Sequence, residues 1–211
     1  MQFPSLIIDA PESLLIATYA INKALKIELR RTDFCILASF ALQNIIVGSK
    51  VVRVTAGIFP TDRTIYGTVL GSEGDGTFRP KAKKGHWHGH CCVLVEDTWL
   101  LDPTLDQVNK KGIKLFPIAF KLKSIDPNET TFFNVNDCDI RYNIYRIQKG
   151  FNCAPDSRKS HWISTYLMTS NLMSKQSFRT KTISFYNNFR YKNSRILDNL
   201  TLDTHKQLHQ I

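Results

Sequence analysis

An α+β fold, with N-terminal helices packed on an antiparallel β-sheet, is what this sequence predicts, and three observations predict it. Two successive stretches near the N-terminus repeat their apolar residues at helical spacing. Short β-branched runs follow them. Two of the later apolar runs, CCVLV and TWLL, are separated only by Glu96 and Asp97, as the arms of a hairpin would be. Helices followed by several antiparallel strands segregate into layers, which is the α+β arrangement.

The first helix is expected over residues 9–30. Asp9 is placed to cap it, Pro11 falls in its first turn, and Glu12 sits where the helix dipole favours a negative charge. Leu14, Leu15, Ala17, Ile21, Ala24 and Leu25 give it one apolar face. In the next stretch, RRTDFCILASFALQNIIVGSK, Thr32 or Asp33 can cap a second helix. Cys35, Leu37, Ala38, Ala41, Leu42, Ile45 and Ile46 make that helix largely apolar, and Gly48 can end it. KVVRVTAGIF and YGTVLG read as strands, with the glycine-rich segment 71–76 as a turn or loop. TTFFNVNDCDIRYNIYRI holds one or two more strands, and SHWISTYLMTSNLM is helical in pattern. The main unit is expected to run from residue 1 to 170. Residues 171–211, rich in Asn, Lys, Arg and Gln, form a basic polar extension that can be helical. No internal repeat at fixed period is apparent.

Composition narrows the function classes. The chain has 211 residues, 43% of them hydrophobic, enough to bury a sizeable core. Its net charge of +10 favours acidic partners, but its basic residues are not interleaved with aromatics in any nucleic-acid motif, so nucleic acid is not the expected partner. Lys81, Lys83, Lys84 and the scattered cations of the last part of the chain read as solvated surface. Five cysteines at irregular spacing, Cys35, Cys91, Cys92, Cys138 and Cys153, do not suggest a disulfide framework. The opening MQFPSLIIDAPE lacks a basic n-region and a cleavage site, and no segment approaches the roughly 18 apolar residues of a membrane span. A cytoplasmic location with reduced thiols is the expectation, and no membrane association is foreseen.

The chemistry concentrates in GHWHGHCCVLVEDTWLLDPTLDQ, residues 85–107. With Glu96, Asp97 and Thr98 as a three-residue loop, Val95 pairs with Trp99, Leu94 with Leu100, Val93 with Leu101 and Cys92 with Asp102. His90 then shares a face with Asp102 as its diagonal neighbour, roughly 7–8 Å away between Cα atoms, so that imidazole and carboxylate can meet. A one-residue slip would turn every side chain to the other face. His88 has the same parity one pair further out, and His86 lies further still. A carboxylate that accepts the imidazole N–H fixes the tautomer and supports the charged ring. Such a pair is useful beside a nucleophile, and Cys35, in the first turn of an apolar helix, is placed where backbone N–H groups and the helix dipole stabilise a thiolate and can hold an oxyanion.

A cysteine at a helix start, followed by a β-hairpin with His on one strand and Trp then DPT on the next, resembles the transglutaminase-like branch of the papain-like cysteine protease superfamily. Here those elements are Cys35, His90, Trp99, Asp102, Pro103 and Thr104, and the WLLD spacing is also similar to that of arylamine N-acetyltransferases. The resemblance spans residues 30–107. It implies a papain-like core, a Cys35–His90–Asp102 triad and acyl-thioester chemistry on a peptide, protein or small amide or ester, with no cofactor. CCV stands where the family often has Trp-x-Glu after the histidine, and no upstream Gln or Trp supplies a second oxyanion donor.

Other readings compete. Cys92, on the face of the acid–base pair, is a rival nucleophile, though a mid-strand thiol lacks the field of a helix terminus. His86, His88, His90 and Cys92 alternate and so project from one face of a strand, where two neighbours could share a zinc ion. A catalytically inactive binding module with a basic surface is the third. Gln107, Tyr142 and Trp162 are candidates to line a groove, or ordinary packing residues.

Overall fold

The computed structural model describes residues 11–30, 34–71, 89–122, 125, 129–144 and 159–192. Within them the fold is α+β. Helix α1 (Pro11–Leu29) and helix α2 (Cys35–Ile45) precede seven strands: β1 (Ser49–Pro60), β2 (Thr68–Leu70), β3 (His90–Val95), β4 (Trp99–Asp102), β5 (Ile118–Lys121), β6 (Thr130–Val135) and β7 (Cys138–Ile144). A short 3₁₀ helix (Leu105–Val108) follows β4, and helices α3 (Lys159–Ser174) and α4 (Gln176–Lys192) come after the sheet. All pairings are antiparallel, in the order β5-β4-β3-β1-β7-β6, with β2 added to β1.

Both faces of the sheet are covered, which explains why β3 reads as a continuous apolar run and is buried at every position. On one face Val93, Val95 and Leu101 join Leu14, Ala17, Ile21, Ala24 and Leu25 of α1 and Leu37, Ala41 and Leu42 of α2. On the other, Cys92, Leu94 and Leu100 pack with Val52, Val54, Phe120, Phe133 and Tyr142 inside the curl of the sheet. The β6–β7 hairpin turns on Asn136 and Asp137, both at positive φ (50° and 58°), as a two-residue hairpin requires.

Several sequence expectations meet the structure differently. The N-cap of α2 is Phe34, with no side-chain cap hydrogen bond, while Thr32 and Asp33 lie outside the described residues, as does Asp9 before α1. Residue 170, the expected end of the main unit, falls inside α3. Leu172, Met173, Phe178 and Tyr186 are buried in the cluster that also holds Leu14 and Ile21. Strand β5 and the 3₁₀ helix were not anticipated.

Candidate active site

The β3–β4 register is Val93↔Leu101, Leu94↔Leu100 and Val95↔Trp99, closed by the loop Glu96–Thr98. Glu96 and Asp97 take positive φ (49° and 53°), and the Thr98 N–H donates to Val95 O at 3.0 Å. Each of these three pairs is the one the alternation requires. The same parity carries His90, Cys92 and Asp102 onto one face, and all three are buried. Their nearest donor atoms lie within 4.8 Å of one another.

His90 opens β3, opposite Val54 of β1. Its Nε2 lies 2.7 Å from Oδ2 of Asp102, the last residue of β4. The carboxylate is held from two further directions. The Tyr142 hydroxyl donates to Oδ2 at 2.6 Å, and the Thr104 backbone N–H donates to Oδ1 at 2.9 Å. The segment after Asp102 is tied to α1, where the Asn22 side-chain amide donates to Pro103 O at 2.7 Å and to Asp106 Oδ1 at 3.1 Å. Lys26 pairs with the same Asp106 carboxylate. On the other side of His90 the backbone passes so close at Gly71 (φ +77°) that a Cβ there would meet Val54 O at 2.0 Å and the His90 Cβ at 3.0 Å, so only glycine fits.

The electrostatics follow from this enclosure. Burial disfavours the charged ring of His90, but the Asp102 charge, Cys92, the hydrogen bond to Asp102 and Cys35 together more than offset it and hold the imidazole pKa well above its ordinary range. Burial likewise works against the Asp102 carboxylate. The His90 charge, with hydrogen bonds from His90, Tyr142 and Thr104, brings its pKa below the usual value. Burial, then the Asp102 charge, lifts the Tyr142 phenol well above its ordinary range, so it stays a donor. Cys92 is buried between them. Desolvation first, and the Asp102 charge second, push its thiol well above the usual thiol range.

Cys35 is the first residue of α2 and is only half-buried. Its thiol lies close enough to the His90 imidazole to help, with Asp102 and Cys92, hold the ring's pKa up. The first intrahelical bond of α2 runs from the Ala38 N–H to Phe34 O at 2.9 Å, so the N–H groups of Cys35, Ile36 and Leu37 have no intrahelical acceptor. No acidic residue stands in that first turn to oppose a thiolate. The structure therefore brings Cys35, His90 and Asp102 together. His86, His88 and the lysines at 81, 83 and 84 lie outside the described residues, and Trp162 falls in α3 without a described side chain.

Two of the proposed groove residues are instead bonded into the site. Tyr142 holds Asp102, and Gln107 places its side-chain Nε2 3.2 Å from Nδ1 of His90. A signal for Tyr142 was present. Cys138, Ile140, Tyr142 and Ile144 alternate on the buried face of β7, and a tyrosine on such a face needs a partner for its hydroxyl. The Thr104 contact is the two-residue return of an Asx-type turn, legible in the adjacency of Asp102, Pro103 and Thr104.

His90, Cys92 and Asp102 also form a set of metal-ligand types. The His90–Asp102 separation of 2.7 Å is that of a direct hydrogen bond. Two ligands sharing a tetrahedral zinc through bonds of about 2.0–2.2 Å stand about 3.3–3.5 Å apart, so an ion would have to part this pair. No protein-family model, curated protein or solved structure matches the chain. The chemistry of the site rests on its own geometry.

Proposed function

We propose that this chain is a thiol enzyme with a transglutaminase-like, papain-like core. In this reading Cys35 is the nucleophile, His90 the general base and acid, and Asp102 the group that orients the imidazole, acting on an amide or ester through an acyl-thioester. The observation that carries the reading is the shared imidazole, bonded at Nε2 by a buried carboxylate and reached by a half-buried thiol at the head of a helix. With Nε2 committed to Asp102, Nδ1 is the nitrogen left to take the thiol proton. The thiolate attacks the carbonyl carbon, the C–S bond forms, and the leaving amine or alcohol departs with the proton returned from Nδ1. Water or a second amine then opens the thioester, so hydrolysis and acyl transfer share this machinery.

The substrate is an amide or ester of a peptide, protein or small molecule, and the net charge of +10 favours acidic ones. A reducing setting such as the cytoplasm suits the free thiols of Cys35, Cys91, Cys92 and Cys138. Among the described residues no helix is long and apolar enough to cross a membrane.

A thiol-directed haloacetamide tests the proposal. Followed by peptide mapping at neutral pH, it labels Cys35 at least about tenfold faster than the other cysteines, since access and an adjacent imidazole favour that thiol. Cys35→Ala abolishes that fast phase and leaves the thermal midpoint within a few degrees. Equal labelling of all exposed thiols overturns the reading. Stoichiometric zinc, lost with His90→Ala and accompanied by a slow Cys35, supports instead a metal centre built on His90, Cys92 and Asp102, the alternative that their proximity favours.

A further inference from the structure

Resting on that reading, we infer that Arg53 determines specificity: its guanidinium holds a carboxylate carried by the acyl group that Cys35 accepts, so the substrates are amides or esters of acyl groups with a second, free carboxylate. Arg53 lies in β1 directly opposite Cys91 of β3, and residues paired in this way send their side chains to the same face of the sheet, with Cα atoms about 4.5–5.5 Å apart. Val51, two residues earlier on β1, has the same parity. Val51 and Cys91 both belong to a small apolar cluster with Ile36 and Phe40 of α2, and Cys35 packs against that cluster. The helix is pinned there by the Ser39 hydroxyl, which donates to Cys91 O at 3.0 Å, one turn after Cys35. Arg53 thus stands on the α2 face, one strand across from a residue of the cluster that the nucleophile touches.

Arg53 is half-buried at the edge of that apolar cluster, where an arginine lays its stem along carbon and keeps its charged head toward water. With five N–H donors, the guanidinium can grip a carboxylate through two parallel bonds while it keeps other bonds of its own. The two faces of the sheet decide which part of the substrate it meets. His90 precedes Cys91 on β3, so its side chain leaves the opposite face, the one that carries Cys92 and Asp102. The leaving amine or alcohol lies against the imidazole that returns its proton. The acyl chain runs the other way, toward the face of Arg53.

Two p-nitrophenyl esters test this: the hemisuccinate, whose acyl chain ends in a carboxylate, and the butyrate, whose chain ends in a methyl group. With each, the Cys35 sulfur bonds the carbonyl carbon as p-nitrophenolate leaves, and the burst reports the acylation rate. The wild type acylates from the hemisuccinate faster by on the order of 30-fold, as a hydrogen-bonded contact between charges allows. Arg53→Gln brings the two rates to within about threefold of each other and leaves the butyrate rate within about threefold of wild type. Arg53→Lys keeps the charge without the fork and retains part of the preference. Lys121→Gln removes the same charge from exposed β5 and leaves the preference as it was. A wild type without the preference, or an Arg53→Gln that keeps it, overturns the assignment. It is overturned too if Arg53→Gln slows both esters equally, which makes the arginine a support of the site, or if Lys121→Gln erases the preference as fully, which makes net charge the cause. A wild-type Cys35 that neither ester acylates and no haloacetamide selects sinks the thiol-enzyme reading itself, an outcome distinct from all of these.

Discussion

Cys35 and Cys92 approach the same imidazole and differ in almost everything else. Cys92 lies in the middle of β3, fully buried, with the Asp102 carboxylate as close company, and its thiol is pushed well above the usual range by desolvation and by that negative charge. Cys35 is half-buried at the first turn of α2, whose first N–H groups have no intrahelical acceptor and where no acidic side chain stands in the turn. Nearness to a histidine is therefore common to both and decides nothing. The sign of the local field and access to solvent separate a nucleophile from a packing sulfur.

The sharpest way to break the comparison is to remove the carboxylate that acts on both thiols. Asp102→Asn deprives His90 of the charge that raises its basicity, and the fast alkylation of Cys35 at neutral pH drops on the order of 10³-fold. A variant that keeps its alkylation rate would show that Cys35 owes its reactivity to the helix terminus alone. A smaller change follows from Tyr142→Phe, which takes one hydrogen bond from a buried carboxylate and costs about 1.5–3 kcal/mol of stability at neutral pH. The pH dependence has a definite sign. Asp102 has a lowered folded-state pKa, so the stability it contributes is present above the unfolded value of about 3.9 and is lost as pH falls through the folded value. The gap in unfolding free energy between wild type and Tyr142→Phe should thus be full near neutrality and shrink on acidification; denaturant titrations in which it widens would contradict the assigned ion pair. The smallest effect belongs to Cys92→Ala. A buried sulfur is lost, at a cost of about 1–2 kcal/mol, but alkylation of Cys35 stays within about threefold of wild type. A large loss of labelling would make Cys92 a participant.

The hairpin was legible in the sequence because a period of two and a loop of fixed length leave one register open, and that register determines which side chains meet. The start of α2 was legible from its apolar run, whereas its cap was not, since Phe34 offers no side-chain acceptor to recognise. Helix α4 reads from the sequence only as part of a basic polar extension that can be helical, because its buried stripe is thin. Phe178, Thr182 and Tyr186 recur every four residues with a polar side chain in the middle, beside the half-buried Phe185 and Phe189 and with polar or exposed residues between. Strand β5 is only Ile118–Lys121, too short for alternation to register, and follows a proline. Of the site, the charge pair followed from local parity. The alternation of β7 marks Tyr142 as buried and in need of a partner, but which partner it and Gln107 find depends on how distant segments fold together.

Helix α4 packs on α1 and adds an ion pair between Lys181 and Glu28 at 3.0 Å, while α1 in turn grips Pro103 and Asp106. The first and last of the described helices thus serve as a splint around the DPT segment. Trimming the polar C-terminal portion before Gln176 to obtain a smaller protein would bare the outer side of α1 and slacken, at second hand, the grip on the residues that follow the acid.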